Sequence, residues 1–378
     1  MKKKPLHIVM TADTVGGVWN YAINLIRHWQ HRGITVTLIT MGAPLSQAQK
    51  RVVNTLHNLD LRETEYKLEW MDNPWEEVQD AAWLIKSVVQ ETEADLLHLN
   101  GFAHGAVNVS IPKVVVAHSC IYSWWKSVKG GSPSPQYSDY LLNVKKGILM
   151  TDHLVAPSKT MLDEINKIYG KALDQSVIPN GIQLSNYFSA QKEDLVLSVG
   201  RVWDEAKNIK ALEPVAASCT WPFMVAGHVV HPQGCSAASV AHLQLLGCLK
   251  EEELQKLYAK AAIYAHPALY EPFGLATLEA AASGCALVLG DIPSLRENWD
   301  GAALFVNSND PDCMTTVIKD LISNPQLRHE WSQKALRRAA TFSIEKCANA
   351  YVSLYHQLID IHAYKITNIK HENQIVLS

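Results

Sequence analysis

Much that would place a protein at a glance is missing from this sequence. No apolar run approaches the roughly 20 residues of a membrane-spanning helix. The run after Lys2-Lys3-Lys4 lasts only a few residues before Thr11 and Asp13, too short for the core of a signal peptide. Cys-x-x-Cys spacing is absent, and the seven cysteines (120, 219, 235, 248, 285, 313 and 347) are scattered and odd in number. They read as reduced, mostly buried thiols in a cytoplasmic protein. A surplus of positive charge is lacking too. The formal net charge of -3 supplies no broad basic field, so a nucleic-acid partner is not expected. The nearest thing to a metal signature is His228-x-x-His231 with Cys235; it has no evident fourth ligand, and no metal is expected there.

What the chain does have is size and alternation. With 378 residues, 48% hydrophobic and 19% charged, it is too long for one ordinary core, and two domains are expected. Apolar strand-like runs alternate with helical patterns from the start. Leu6 to Met10 is followed by Gly16-Gly17, a helix from about Asn20 to Gln30, and a strand from Thr35 to Thr40. This β-α-β opening brings a dinucleotide enzyme to mind, but the glycines are adjacent rather than in G-x-G-x-x-G, and no acidic residue ends the second strand. A strand ending at Asn100 comes next, then one over Lys113 to Ala117 that delivers His118 to a strand's C-terminal edge, where α/β proteins place ligands. Ile121 to Tyr137 reads as a long connection carrying Trp124 and Trp125, whose paired indoles suit a sugar face in an acceptor site. Asn186 to Glu193 turns polar and marks a domain boundary. The alternation then restarts at Leu195 to Gly200, with Arg201 and Lys207 just past the strand.

Ala261 to Pro293 is the most informative stretch. It reads as a strand, then Glu271-Pro-Phe273-Gly274, then a helix from Leu275 to Ser283 capped by Gly284, then a second strand. A turn with glycine at a helix N-terminus is an anion site, because the first helical amides lack internal partners and the helix dipole adds positive potential. Glu279 lies five residues beyond Gly274, or roughly 7.5 Å along the axis, which suits a carboxylate gripping a hydroxylated ring beside a phosphate. Arg201 and Lys207 are cations suited to a diphosphate, the first as a bidentate fork and the second as a point charge. Two acceptor-only carboxylates flanking an anion site fit a nucleotide-sugar.

The E-x7-E pattern from Glu271 to Glu279, with Phe-Gly-Leu inside it, resembles the donor motif of glycosyltransferase family 4, and Gly200-Arg201 with Lys207-Asn208 is similar to a second motif of that family. The resemblance spans nearly the whole chain. It implies a GT-B fold of two doubly wound Rossmann-like domains facing across a cleft: an acceptor domain over residues 1–188 and a donor domain over 189–343. A helix over 344–362 would cross back to the first domain, leaving a tail at 363–378. The implied reaction moves a sugar from a nucleotide diphosphate sugar to a saccharide, lipid-linked or small-molecule acceptor hydroxyl with retention of configuration, by front-face substitution and with no metal or other cofactor. By resemblance, Gly16 and Gly17 lie near the diphosphate and His118 near the transferred sugar. Arg201 and Lys207 neutralise the leaving group, Glu271 holds sugar hydroxyls, Glu279 holds the ribose, Phe273, Gly274 and Leu275 complete the donor loop, and the backbone near Leu249 meets the base. Many members continue His-Asp where this chain has His118-Ser119, which removes any role an acid would play there. A nucleotide-sugar epimerase and a silent partner subunit are the other readings. The helix around Arg27, Trp29 and Arg32 is basic and amphipathic, which suggests peripheral contact with the inner membrane face.

Overall fold

The computed structural model describes residues 5–230 and 240–376. Among the described residues two parallel sheets form. The first contains β1 (His7–Asp13), β2 (Thr35–Met41), β3 (Leu59–Glu63), β4 (Leu96–Leu99), β5 (Lys113–Val116), β6 (His153–Ala156) and β7 (Gln175–Val177), in the spatial order β3-β2-β1-β4-β5-β6-β7. The second contains β8 (Glu193–Val199), β9 (Phe223–Ala226), β10 (Leu243–Gly247), β11 (Ala261–His266), β12 (Ala286–Gly290) and β13 (Leu304–Val306), in the order β10-β9-β8-β11-β12-β13. Both orders reverse direction once, between β1 and β4 and between β8 and β11. Reversal opens a crevice beyond the strand C-termini, where open α/β sheets bind ligands. Near-continuous apolar strands such as β11 and β12, buried at every position, are what a sheet covered on both faces demands.

The crossover helices of the first sheet are α1 (Gly17–Trp29), α2 (Gln47–Val53), α3 (Trp75–Thr92), α4 (Ile121–Val128), α5 (Ser138–Met150) and α6 (Lys159–Tyr169). The second sheet is covered by α7 (Leu212–Ala217), α8 (Glu251–Lys260), α9 (Leu275–Ala282), α10 (Pro293–Trp299), α11 (Pro311–Ser323) and α12 (Pro325–Ala339). Local chemistry sets many of their starts. Ser46 and Gln49 form a capping box on α2, and the side chains of Asp310 and Asn324 cap α11 and α12.

Two expectations are corrected. Ile121 to Tyr137 is not an open connection, because its first half is α4. The Cys120 thiol caps it by accepting from Ser123 N at 3.3 Å, and Ile121 and Tyr122 pack against the core. Its aromatic and β-branched composition masks that helix in the sequence. The final helix, α13 (Ile344–Val376), runs through most of the segment read as a tail. No glycine or proline interrupts residues 344–376, so a helix nucleated against the core continues once begun.

That last helix packs on α1, in the first sheet's layer. Trp29, Tyr351 and Tyr355 are fully buried there, with the Trp29 and Tyr355 rings 5.8 Å apart at 66°. Trp29 is therefore a core residue, and the apolar face of α1 is covered by α13 rather than available to a lipid surface. Arg27 and Arg32 lie at its solvent side, the first half-buried and the second exposed. No described helix is long and apolar enough to cross a membrane.

The chain crosses between the sheets twice, and the crossings meet. Ile182 N donates to Phe342 O at 3.2 Å and Ile344 N donates to Ile182 O at 2.9 Å. Gly181 allows this approach, because a Cβ there would overlap the Ser343 carbonyl. A second join lies at α6. Its first two amides, on Lys159 and Thr160, donate to the Glu297 carboxylate of α10 at 2.7 and 2.8 Å, while its third donates to Ser158. Substituting Gly181→Ala must push two backbones apart; unfolding in urea is expected to show a loss of about 1–3 kcal/mol, and a midpoint equal to that of the unaltered protein would refute this close approach.

Candidate active site

The two crevices face each other. From the first sheet come the turn after β1 with Gly16 and Gly17, Asn100 after β4, and His118 after β5. From the second come Arg201 and Lys207 after β8, Leu249 after β10, and Glu271 to Gly274 after β11. Gly16 adopts φ 148°, and a Cβ on it would stand 3.4 Å from Arg201 Nη1, so the glycine turn of one domain lies against the guanidinium of the other. Gly17 opens α1, whose N-terminus has no side-chain cap.

In the second domain's crevice the charges are already engaged. Lys207 Nζ lies 2.6 Å from Glu271 Oε2, and His266 Nε2 reaches the same oxygen at 3.2 Å. Burial pushes the Glu271 carboxyl up, but Lys207 and His266 outweigh it and hold the carboxyl well below the usual range. Arg201 reaches Asp204 Oδ2 through Nη2 at 2.6 Å and stacks over Trp203. Gly274 takes φ 90°, a left-handed conformation that favours glycine, and starts α9 with no side-chain cap. The start of α9 lies against Glu271, since a Cβ on Gly274 would stand 3.4 Å from Glu271 Cγ, and through that carboxylate it adjoins Lys207 at the switch point of β8 and β11. Phe273 is turned inward, edge-on to Phe342 with centroids 5.5 Å apart, so its side chain serves the core and only its backbone borders the loop. Leu249 is half-buried and leads into α8.

Glu279 projects from α9 beside the hydroxyls of Tyr258 and Tyr187. Burial pushes its carboxyl up to about 7, opposed by those two hydroxyls. The two acidic ends of E-x7-E are thus held differently: Glu271 is ionised against a cation, while Glu279 titrates near neutrality.

On the facing side, His118 Nε2 lies 2.7 Å from Asn100 Oδ1, and burial lowers the imidazole to about 3, so the ring is neutral. Trp124 and Trp125 lie on α4, half-buried and edge-on to each other at 6.2 Å. Sequence reasoning missed several partners: Asn100, His266, Asp204, and above all Tyr270. The Tyr270 hydroxyl crosses from the loop after β11 to Ser123 Oγ at 2.8 Å and Ser119 Oγ at 3.2 Å. Its position next to Glu271 was the available signal. Asp13, at the end of β1, is pushed up to about 6 by burial, with Val15 N and Arg201 opposing. It borders a cavity of about 30 Å³ with Glu69 and Asn100. His231 and Cys235 lie outside the described residues, and among the described residues no three His, Cys, Asp or Glu side chains converge to hold a metal.

Two doubly wound sheets whose switch points meet across a cleft define the GT-B fold. The family model for Glycosyltransferase Family 4 matches residues 15–186 and that for Glycosyl transferases group 1 matches residues 184–338. The chain belongs to this family of group 1 glycosyltransferases. O-antigen chain mannosyltransferase B of Escherichia coli is 32% identical over 116 residues, 31% of this chain and 30% of that protein. The O-antigen chain mannosyltransferase RfbU of Salmonella typhimurium is 29% identical over 202 residues, 50% of this chain and 56% of its own. The chain thus matches about a third to just over half the length of these relatives. Sucrose-phosphate synthase from Thermosynechococcus elongatus superposes with a TM-score of 0.78 at 18% identity, covering 94% of this chain and 100% of that one. Anabaena HepE, solved with UDP-glucose, gives 0.74 at 15%, covering 93% and 100%. These likenesses show the fold.

A carboxyl raised by folding stabilises the folded chain while protonated and loses that contribution as pH climbs from its unfolded value through about 7. Between about pH 5 and pH 8 the protein should therefore lose more stability than Glu279→Gln, measured by urea unfolding at both pH values; parallel losses would show that Glu279 is not buried as described.

Proposed function

We propose that this glycosyltransferase moves a sugar from a nucleotide diphosphate sugar to an acceptor hydroxyl with retention of anomeric configuration. The observation that carries the reading is the start of α9, with no side-chain cap, set against the Lys207–Glu271 pair at the β8–β11 switch point. Breaking the sugar–phosphate bond leaves negative charge on the diphosphate, and fixed amides and cations in a cleft stabilise that charge more than water would. Lys207 then exchanges part of its contact with Glu271 for the diphosphate. The released Glu271 oxygen, still held by His266, is an acceptor for sugar hydroxyls. Glu279, once ionised, accepts the two ribose hydroxyls.

No carboxylate is assigned as a nucleophile behind the sugar. The proposal is front-face substitution, in which the leaving diphosphate oxygen takes the proton of the incoming hydroxyl as the new bond forms on the same face. The cations serve in place of a metal. Mannose is the first sugar to test, because relatives matching parts of the chain are named mannosyltransferases. A cytoplasmic site of action is supported by the free thiols of all six described cysteines.

A thermal-shift screen of uridine, guanosine and adenosine diphosphate sugars tests this reading. The correct donor at 100 times its dissociation constant adds about 2.7 kcal/mol to folding. Lys207→Ala should weaken binding of the matching nucleoside diphosphate roughly tenfold or more by calorimetry, with circular dichroism unchanged. A screen with no stabilising donor, or unaltered affinity in the variant, would count against the assignment.

A further inference from the structure

His118 is held from behind by a chain of hydrogen bonds that ends in the last helix. Asn100 Nδ2 donates to Thr11 O at 2.7 Å, which fixes the amide with Oδ1 toward the histidines. That oxygen can only accept. His118 Nε2 reaches it at 2.7 Å and His98 Nε2 at 3.2 Å, so each ring donates to it through Nε2; the Tyr21 hydroxyl lies farther from His98 Nε2, at 3.4 Å, and its oxygen can accept from the same proton. His98 Nδ1 is then a bare acceptor, and the Tyr355 hydroxyl of α13 donates to it at 2.6 Å. Both His98 and Tyr355 are fully buried, and Tyr21 closes the side of the pair with its ring 4.6 Å from that of His118.

The opposite arrangement fails on simple grounds. A bare Nε2 on His118 would set a lone pair against Oδ1 at 2.7 Å, and a bare Nε2 on His98 would trade its bond to Oδ1 for the longer 3.4 Å contact with the Tyr21 hydroxyl. The geometry points to Asn100, backed by His98 and Tyr355, as the positioning residue that fixes His118 as a neutral imidazole protonated on Nε2, leaving Nδ1 to accept a hydrogen bond from a substrate hydroxyl in the cleft. His118 therefore acts as an acceptor and not as a proton donor. Tyr355 makes this state depend on a helix from the far end of the chain. The role for His118 rests on the transfer reaction proposed above, whereas the tautomer does not.

Nitrogen-15 NMR of the histidine-labelled, ligand-free protein reads the tautomers directly. Both His98 and His118 should be protonated on Nε2; a proton on Nδ1 of His118 would overturn the inference whatever the reaction proves to be. Tyr355→Phe removes one hydroxyl and is expected to fold. Its histidine signals should shift, and kcat for release of nucleoside diphosphate from the donor found by thermal shift should fall about 3- to 10-fold, with donor affinity unchanged. A change in thermal midpoint alone, with spectra and kcat intact, would reduce Tyr355 to packing. His118→Asn places an amide oxygen where Nδ1 stands, while His118→Gln reaches the Nε2 position. Asn should retain at least about 5-fold more turnover than Gln, and the reverse order would refute the acceptor role. If no donor binds, the reaction fails and the tautomer result still stands.

Discussion

The pairing of Lys207 with Glu271 governs the crevice of the second domain. Two opposite charges in a half-dry cleft cost desolvation, and their attraction repays it only with further bonds. His266 supplies one of them. The pair keeps a cation at the switch point, and it keeps a carboxylate ionised that burial alone would neutralise. Arg201 follows the same rule through Asp204. Internal carboxylates thus hold the cations of the site in place. Cations and carboxylates held this way are already oriented, which reduces the reorganisation required when charge develops nearby.

The two sheets make this possible through topology. Each reverses its strand order once, and each reversal supplies a crevice. Crossing segments at Ile182 and Ile344 bring the crevices opposite one another, and Tyr270 carries a hydroxyl from the loop after β11 to the turn that follows His118. Residues distant in sequence, such as Gly16 and Arg201, become neighbours by this means alone.

Much of the arrangement was legible beforehand. Strand and helix alternation gave the two-sheet architecture, because buried parallel strands write continuous apolar runs. The helix start at Gly274 was legible because a left-handed turn asks for glycine. Less visible were features that depend on the partner a side chain meets. Nothing local shows that Phe273 turns to Phe342, that Trp29 faces Tyr355, or that His266 shares the Glu271 oxygen. Helix α4 hid behind aromatic residues of middling helix propensity. Helix α13 outlasted its clear periodicity, because an uninterrupted stretch without glycine or proline needs no amphipathic pattern to continue.

Glu297 closes the first turn of α6 from the neighbouring domain, so that helix is finished only while the two halves stay together. Parting them would bare the amides of Lys159 and Thr160 to water, and the rate at which those two protons exchange with solvent becomes a built-in gauge of how widely the enzyme gapes.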